Sequence, residues 1–204
     1  MKIKETNKYF TLLSLYLAQS IPMSFFSTVV PVIMRMENYS LESIGYLQLV
    51  KLPWIIKFLW APLVDRTSQN SRQYRRWILL SESFYAIVIF TTGFFNLETS
   101  FTTIIVLMII AFIASATHDI ATDAFAILIL KEKERSLGNS MQSAGNFMGT
   151  LVGSGILLVV YHYWGWKYLL FLLAAFVILI LIPVSLYPAK EQKDTGKSRD
   201  NISP

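Results

Sequence analysis

Residues Thr102–Leu130 read TTIIVLMIIAFIASATHDIATDAFAILIL, a run with no lysine or arginine whose only ionisable side chains are His118, Asp119 and Asp123. About 20 predominantly apolar residues are enough to cross the hydrocarbon of a bilayer as a helix. The apolar residues here run all round the helix instead of marking one stripe, as they would on a soluble amphipathic helix. The stretch therefore predicts a membrane-spanning helix.

Outward from that span the pattern repeats. Apolar blocks at Tyr9–Met34, Leu41–Leu63, Trp77–Asn96, Asn139–Tyr161 and Tyr168–Leu186 are separated by short polar connections. The expectation is an all-α membrane protein with six transmembrane helices. Residues 1–187 form the bundle, and residues 188–204 form a polar tail with the composition of a disordered linker. Hydrophobic residues make up 54% of the chain and charged residues only 15%, against about 25% charged in soluble domains. The mean hydropathy is +0.49. The apolar stretch near the N-terminus outlasts a signal-peptide core and shows no small-residue cleavage site, so it reads as an uncleaved first helix.

The net charge of +5 is not a nucleic-acid signature, because the cations sit in the connections. Lys2, Lys4 and Lys8 precede span 1. Arg66, Arg72, Arg75 and Arg76 join spans 2 and 3. Lys131, Lys133 and Arg135 join spans 4 and 5, and Lys190, Lys193, Lys197 and Arg199 lie in the tail. The opposite side holds only Arg35 and Lys167. That bias, 14 against 2, places both termini of a multi-pass plasma-membrane protein in the cytoplasm by the positive-inside rule. Tyr161, Tyr163, Trp164 and Trp166 fit an aromatic belt at the outer interface.

Ionisable residues inside spans are costly and mark function by default. Lys51 lies roughly 15 Å into span 2 at 1.5 Å per residue, close to the midplane. It must face an aqueous cavity or a carboxylate, either to attract an anionic solute or as a structural ion pair. Lys57, nearer the cytoplasm, reads as snorkelling or structurally bonded. Asp119 and Asp123, four residues apart, share a helix face, an arrangement suited to binding and releasing a proton or to pairing with basic residues at the cytoplasmic mouth. His118 points about 100° away and reads as a packed, hydrogen-bonded side chain or a pathway residue. No further ligand cluster supports a metal site, and there is no cysteine to supply one. Gly145, Gly149 and Gly153 form a stripe for close helix packing. P-loop, nucleophile-elbow, zincin and dinucleotide-binding motifs are absent from the sequence.

The segment Lys57-Phe-Leu-Trp-Ala-Pro-Leu-Val-Asp65-Arg66 followed by Arg72-Gln-Tyr-Arg75-Arg76-Trp resembles the second helix and following loop of major facilitator superfamily transporters. Ala18-Gln19-Ser-Ile-Pro22, Leu52-Pro53-Trp54 and Ser115-Ala-Thr-His118-Asp119-Ile-Ala-Thr-Asp123-Ala124 narrow the likeness to the AmpG muropeptide permease and acetyl-CoA transporter branch. The resemblance implies one half of a twelve-helix fold working by alternating access. It also implies proton-coupled uptake of an anionic or acetylated small solute, with the proton gradient in place of a cofactor. Asp65, Arg66, Arg72, Arg75 and Arg76 would form a cytoplasmic gate, with Asp123 as a partner. Gln19, Lys51, Lys57 and Asp119 would line the cavity. The pattern departs at Phe147, near which related permeases often carry arginine.

Six spans call for a second six-helix half: a separate chain, a missing C-terminal part or a second copy. Two alternatives stand beside transport: a non-transporting remnant or regulatory subunit, and an intramembrane enzyme built on Asp119 and Asp123.

Overall fold

The structure is a computed structural model. It describes residues 2–188, with side chains from Lys8 onward. The tail cations Lys190, Lys193, Lys197 and Arg199 and the side chains of Lys2 and Lys4 lie outside what is described. Among the described residues all regular structure is helical.

The first pass is α1 (Lys2–Ser24), a π-helical turn (Phe25–Val29) and α2 (Val30–Met36). Pro22 inside α1 cannot donate to the preceding turn, and the wide turn follows it directly. Pro31 then opens α2, where its missing N–H costs nothing. Asn38, at φ 61°, ends the pass.

The second region is less regular than the single span expected over Leu41–Leu63. Here α3 (Leu41–Leu47), α4 (Leu52–Ile56) and α5 (Ala61–Arg66) are separated by 3₁₀ turns at Gln48–Lys51 and Lys57–Leu59. The physical reason is the placement of Pro53 and Pro62, each at the start of a fresh helical piece. Each lacks the N–H that would continue the preceding turn's hydrogen bonds. Ser40 caps α3 by accepting from the Ser43 N–H at 3.1 Å.

Next come α6 (Ser71–Thr92) and α7 (Phe101–Ile129), which pack along each other. Asn70 caps α6 through its side-chain oxygen, 3.1 Å from the Gln73 N–H. A 3₁₀ turn (Glu132–Glu134), α8 (Arg135–Leu151), a π turn (Val152–Ile156) and α9 (Leu157–Leu186) complete the described chain.

Among the described residues three helical stretches are long and apolar enough to cross a membrane: Lys8–Met36, Phe101–Ile129 and Glu132–Leu186. The last has 55 residues, about 80 Å of helix at 1.5 Å per residue, far more than a hydrocarbon core of about 30 Å. It breaks at Gly165, where φ is 72° and ψ is −178°. The chain turns back there. Glu134, at the start of this stretch, bonds Lys8, while Val184, near its end, packs in the same cluster as Leu12. A backbone with that φ favours glycine.

Packing is inverted relative to a soluble protein. On α6, Leu80, Phe84 and Ile87 face outward, while Ser81 and Glu82 are buried. Apolar side chains directed outward are what a lipid surroundings requires. Gly145, Gly149 and Gly153 set α8 against α1: a Cβ at Gly149 would stand 2.5 Å from the Cβ of Ser20. Two apolar clusters fill the interior. One is built around Phe25, Phe26, Phe112 and Leu173, the other around Leu12, Tyr74, Phe125 and Val184.

Candidate solute and proton site

The irregular second region brings Lys57 to α7. Its ammonium forms an ion pair with Asp119, whose side chain is 5% exposed against 32% for that of Lys57. The Gln19 amide donates to the other Asp119 oxygen at 2.6 Å. Lys57 also lies over the Trp54 ring, 4.8 Å from its centroid. Trp60 donates its indole N–H to Thr117 at 3.2 Å, fixing the same region to α7 two residues before Asp119. Gln19, Lys57 and Asp119 converge, and Asp123, one turn along α7, accepts a hydrogen bond from Tyr16 at 3.3 Å. Lys51 ends the 3₁₀ turn before α4, half-buried, without an ion pair among the described residues. His118 does not join the cluster. It is fully buried and faces Glu82 on α6. With His118 and Asp119 directed apart, the trio His118, Asp119 and Asp123 forms no metal-binding group.

A groove of about 380 Å³ runs beside the ion pair, lined among others by Gln19, Ser27, Thr28, Trp54, Asn146 and Thr150. Two of its polar atoms are buried yet unbonded: the Gln19 side-chain oxygen, an acceptor, and the Trp54 indole N–H, a donor. Buried polar groups are normally hydrogen-bonded, and one left unpaired calls for an explanation. Both belong to residues that line the same groove.

At the end expected to face the cytoplasm, Asp65 accepts from the Tyr74 hydroxyl at 3.0 Å. Arg75 donates to the Tyr187 carbonyl at the C-terminus of α9, where a cation complements the helix dipole. Arg66, Arg72 and Arg76 are exposed. The hydrogen bond of Asp123 runs to Tyr16 on α1. Lys8 bonds Glu134 at 2.5 Å, and the Lys131 N–H donates to the same carboxyl at 2.9 Å. These bonds, that to Lys8 first, hold the Glu134 carboxyl below the usual carboxylate range.

The sequence profile described as the Major Facilitator Superfamily matches residues 6–202. The chain belongs to that superfamily. It is 32% identical over 186 residues to the anhydromuropeptide permease of Escherichia coli (strain K12), covering 90% of this chain and 38% of that permease. It is 33% identical over 174 residues to an uncharacterized protein of Haemophilus influenzae, covering 85% of this chain and 41% of that protein. The superfamily chain thus spans about two-fifths of the length of these curated relatives.

Sequence reasoning missed Glu82, Trp54 and Asn146 in this superfamily member. Glu82 was detectable, being the one ionisable carboxyl between Trp77 and Asn96. Trp54 and Asn146 carry no charge and follow no spacing rule, so only their placement in the groove marks them.

Proposed function

We propose that this chain is a six-span half of an alternating-access transporter in a bacterial inner membrane, with both termini cytoplasmic. In this reading a second six-span bundle covers the polar groove and completes the solute path. The carrying observation is the Lys57–Asp119–Gln19 constellation beside a groove that offers an unpaired donor and an unpaired acceptor. Such polarity is unfavourable against lipid but suits an aqueous path.

The solute is small and polar, hydrogen-bonding with both donors and acceptors. The anhydromuropeptide named for the Escherichia coli relative has that chemistry. An ion pair supplies the coupling. Protonation of Asp119 removes its charge and frees Lys57 from α7, and deprotonation restores the pair. The two states favour different positions of the second region relative to α7, which is the differential interaction a population shift requires. Lys51 adds attraction for an anionic group, and Asp65, Arg66, Arg72, Arg75 and Arg76 serve the cytoplasmic gate. Similarity to a permease supports transport over intramembrane catalysis.

The test is uptake of labelled anhydromuropeptide and related sugars and peptides into vesicles containing this chain together with a second bundle, with and without an imposed proton gradient. Gradient-dependent accumulation is expected. Asp119→Asn should reduce it at least about tenfold, equivalent to about 1.4 kcal/mol. No uptake of any candidate would instead identify a non-transporting subunit. Full uptake by Asp119→Asn would remove the ion pair from the coupling.

A further inference from the structure

The seam between α6 and α7 contains a second ionisable pair, separate from the groove. Glu82 is 1% exposed and His118 is 0% exposed. A Glu82 carboxyl oxygen lies 3.5 Å from His118 Nδ1. On the other side of the ring, His118 Nε2 lies 3.3 Å from the Thr122 hydroxyl. Apart from that mutual approach, neither Glu82 oxygen nor His118 Nδ1 has a hydrogen-bond partner among the described residues.

The neighbouring titratable groups are committed elsewhere or uncharged. Asp119 on α7 is held by Lys57 and Gln19, and Asp123 by Tyr16 of α1. Tyr85, one turn from Glu82 on α6, is a buried phenol. The arginines of α6 stand near its start, where Arg75 binds the Tyr187 carbonyl. On the second region the charged groups are Glu42, Lys51, Lys57, Asp65 and Arg66, of which Glu42 accepts from the Tyr46 hydroxyl and Lys57 is bound to Asp119. From Leu169 to Leu186, α9 carries no titratable side chain.

We propose that Glu82 and His118 form a buried proton-binding site in the α6–α7 seam, in which a carboxyl and an imidazole hold one proton between them. A carboxylate beside a neutral imidazole would leave a lone negative charge in the apolar interior, which is strongly unfavourable. One added proton removes the net charge in either of two arrangements. A carboxylic acid donates to Nδ1 while Nε2–H donates to Thr122, or an imidazolium donates from Nδ1 to the carboxylate. The two groups therefore behave as one unit with respect to that proton. Because His118 and Asp119 are adjacent on α7, one helix carries this site on one face and the Lys57 ion pair about 100° away. The inference does not rest on transport: a chain that moved no solute would hold the same proton.

The test uses the full chain in lipid at neutral pH, labelled with ¹⁵N-histidine and ¹³C-carboxyl glutamate. The sequence has two histidines, so His162→Gln assigns the His118 signals by elimination. Among the described glutamates Glu82 is the buried one, so a protonated glutamate carboxyl in the infrared spectrum reports on it. The expected result is one of two. Either a ¹³C-sensitive carboxylic acid band accompanies a neutral His118 and is lost in Glu82→Gln, or His118 shows imidazolium nitrogens that become neutral in Glu82→Gln. A neutral His118 with no carboxylic acid band in the unmodified chain overturns the proposal, and this measurement holds even if Glu82→Gln does not fold. An imidazolium His118 whose signals are indifferent to Glu82→Gln overturns it equally.

Discussion

The α1 helix meets two very different neighbours. Toward α8 it packs against Gly145, Gly149 and Gly153, so closely that a single added carbon on any of the three would collide with Tyr16, Ser20 or Ile21. Toward α7 and the second region it presents Gln19 to Asp119 and Tyr16 to Asp123. One side is a backbone contact with no room to move. The other is a set of hydrogen bonds between side chains that can rotate. A single helix thus joins a fixed seam to an adjustable one, and the division follows from residue type: glycines on one partner, carboxylates on the other.

The sharpest way to break the contrast is to loosen the fixed side. A Cβ at Gly153 would fall inside contact distance of the Ile21 carbonyl, which belongs to the backbone and cannot rotate away. Gly153→Ala is expected to destabilise the bundle by about 1–3 kcal/mol, read as a lowered midpoint of denaturant unfolding in mixed micelles. Gly155→Ala, where a Cβ meets nothing within 4 Å, is the control and should leave the midpoint nearly unchanged. If the two variants matched, the seam would not be the rigid contact described.

The adjustable side should cost less stability and more function. Asp119→Asn removes the ion pair while retaining an acceptor for Gln19. With Lys57 about one-third exposed, the loss is expected near 1–2 kcal/mol once solvent screening is allowed for. A loss of uptake without a matching loss of folded protein would separate the two roles; equal losses would make Asp119 a structural residue only.

The smallest effect belongs to the part-buried clamp between Lys8 and Glu134. The Glu134 carboxyl is held below its usual range, so its contribution to stability is present above the ordinary carboxylate pKa. It is lost as pH falls through the depressed folded value. Thermal midpoints measured down through acid pH should show this decline in the unmodified chain and a flatter profile in Glu134→Gln, with the difference shrinking at high salt. Identical profiles would show the clamp to be without effect.

The sequence made the apolar runs legible because a bilayer demands length and composition, both of which are local. Lys57 and Asp119 were legible for the same reason, since a charge inside an apolar run is conspicuous. Their meeting was not, because it depends on how Pro53 and Pro62 break the second region and so aim Lys57 at α7. His118 stood out as a residue, but its partner did not: Glu82 lies 36 positions earlier, and only the packing of α6 on α7 brings the two together. The Lys8–Glu134 clamp spans 126 positions and carried no local signal.

The broken second region has one more consequence. A continuous helix transmits a push along its whole length, because bending it means giving up backbone bonds. Between Leu41 and Arg66 many of those bonds have already been forgone at Pro53, Pro62 and the two tight turns. Flexure there is cheap, while α6 and α7, with no proline or turn inside them, resist it as unbroken rods. Lys57 thus rides on a pivot set among struts, and its ion pair with Asp119 is made where the scaffold yields most readily.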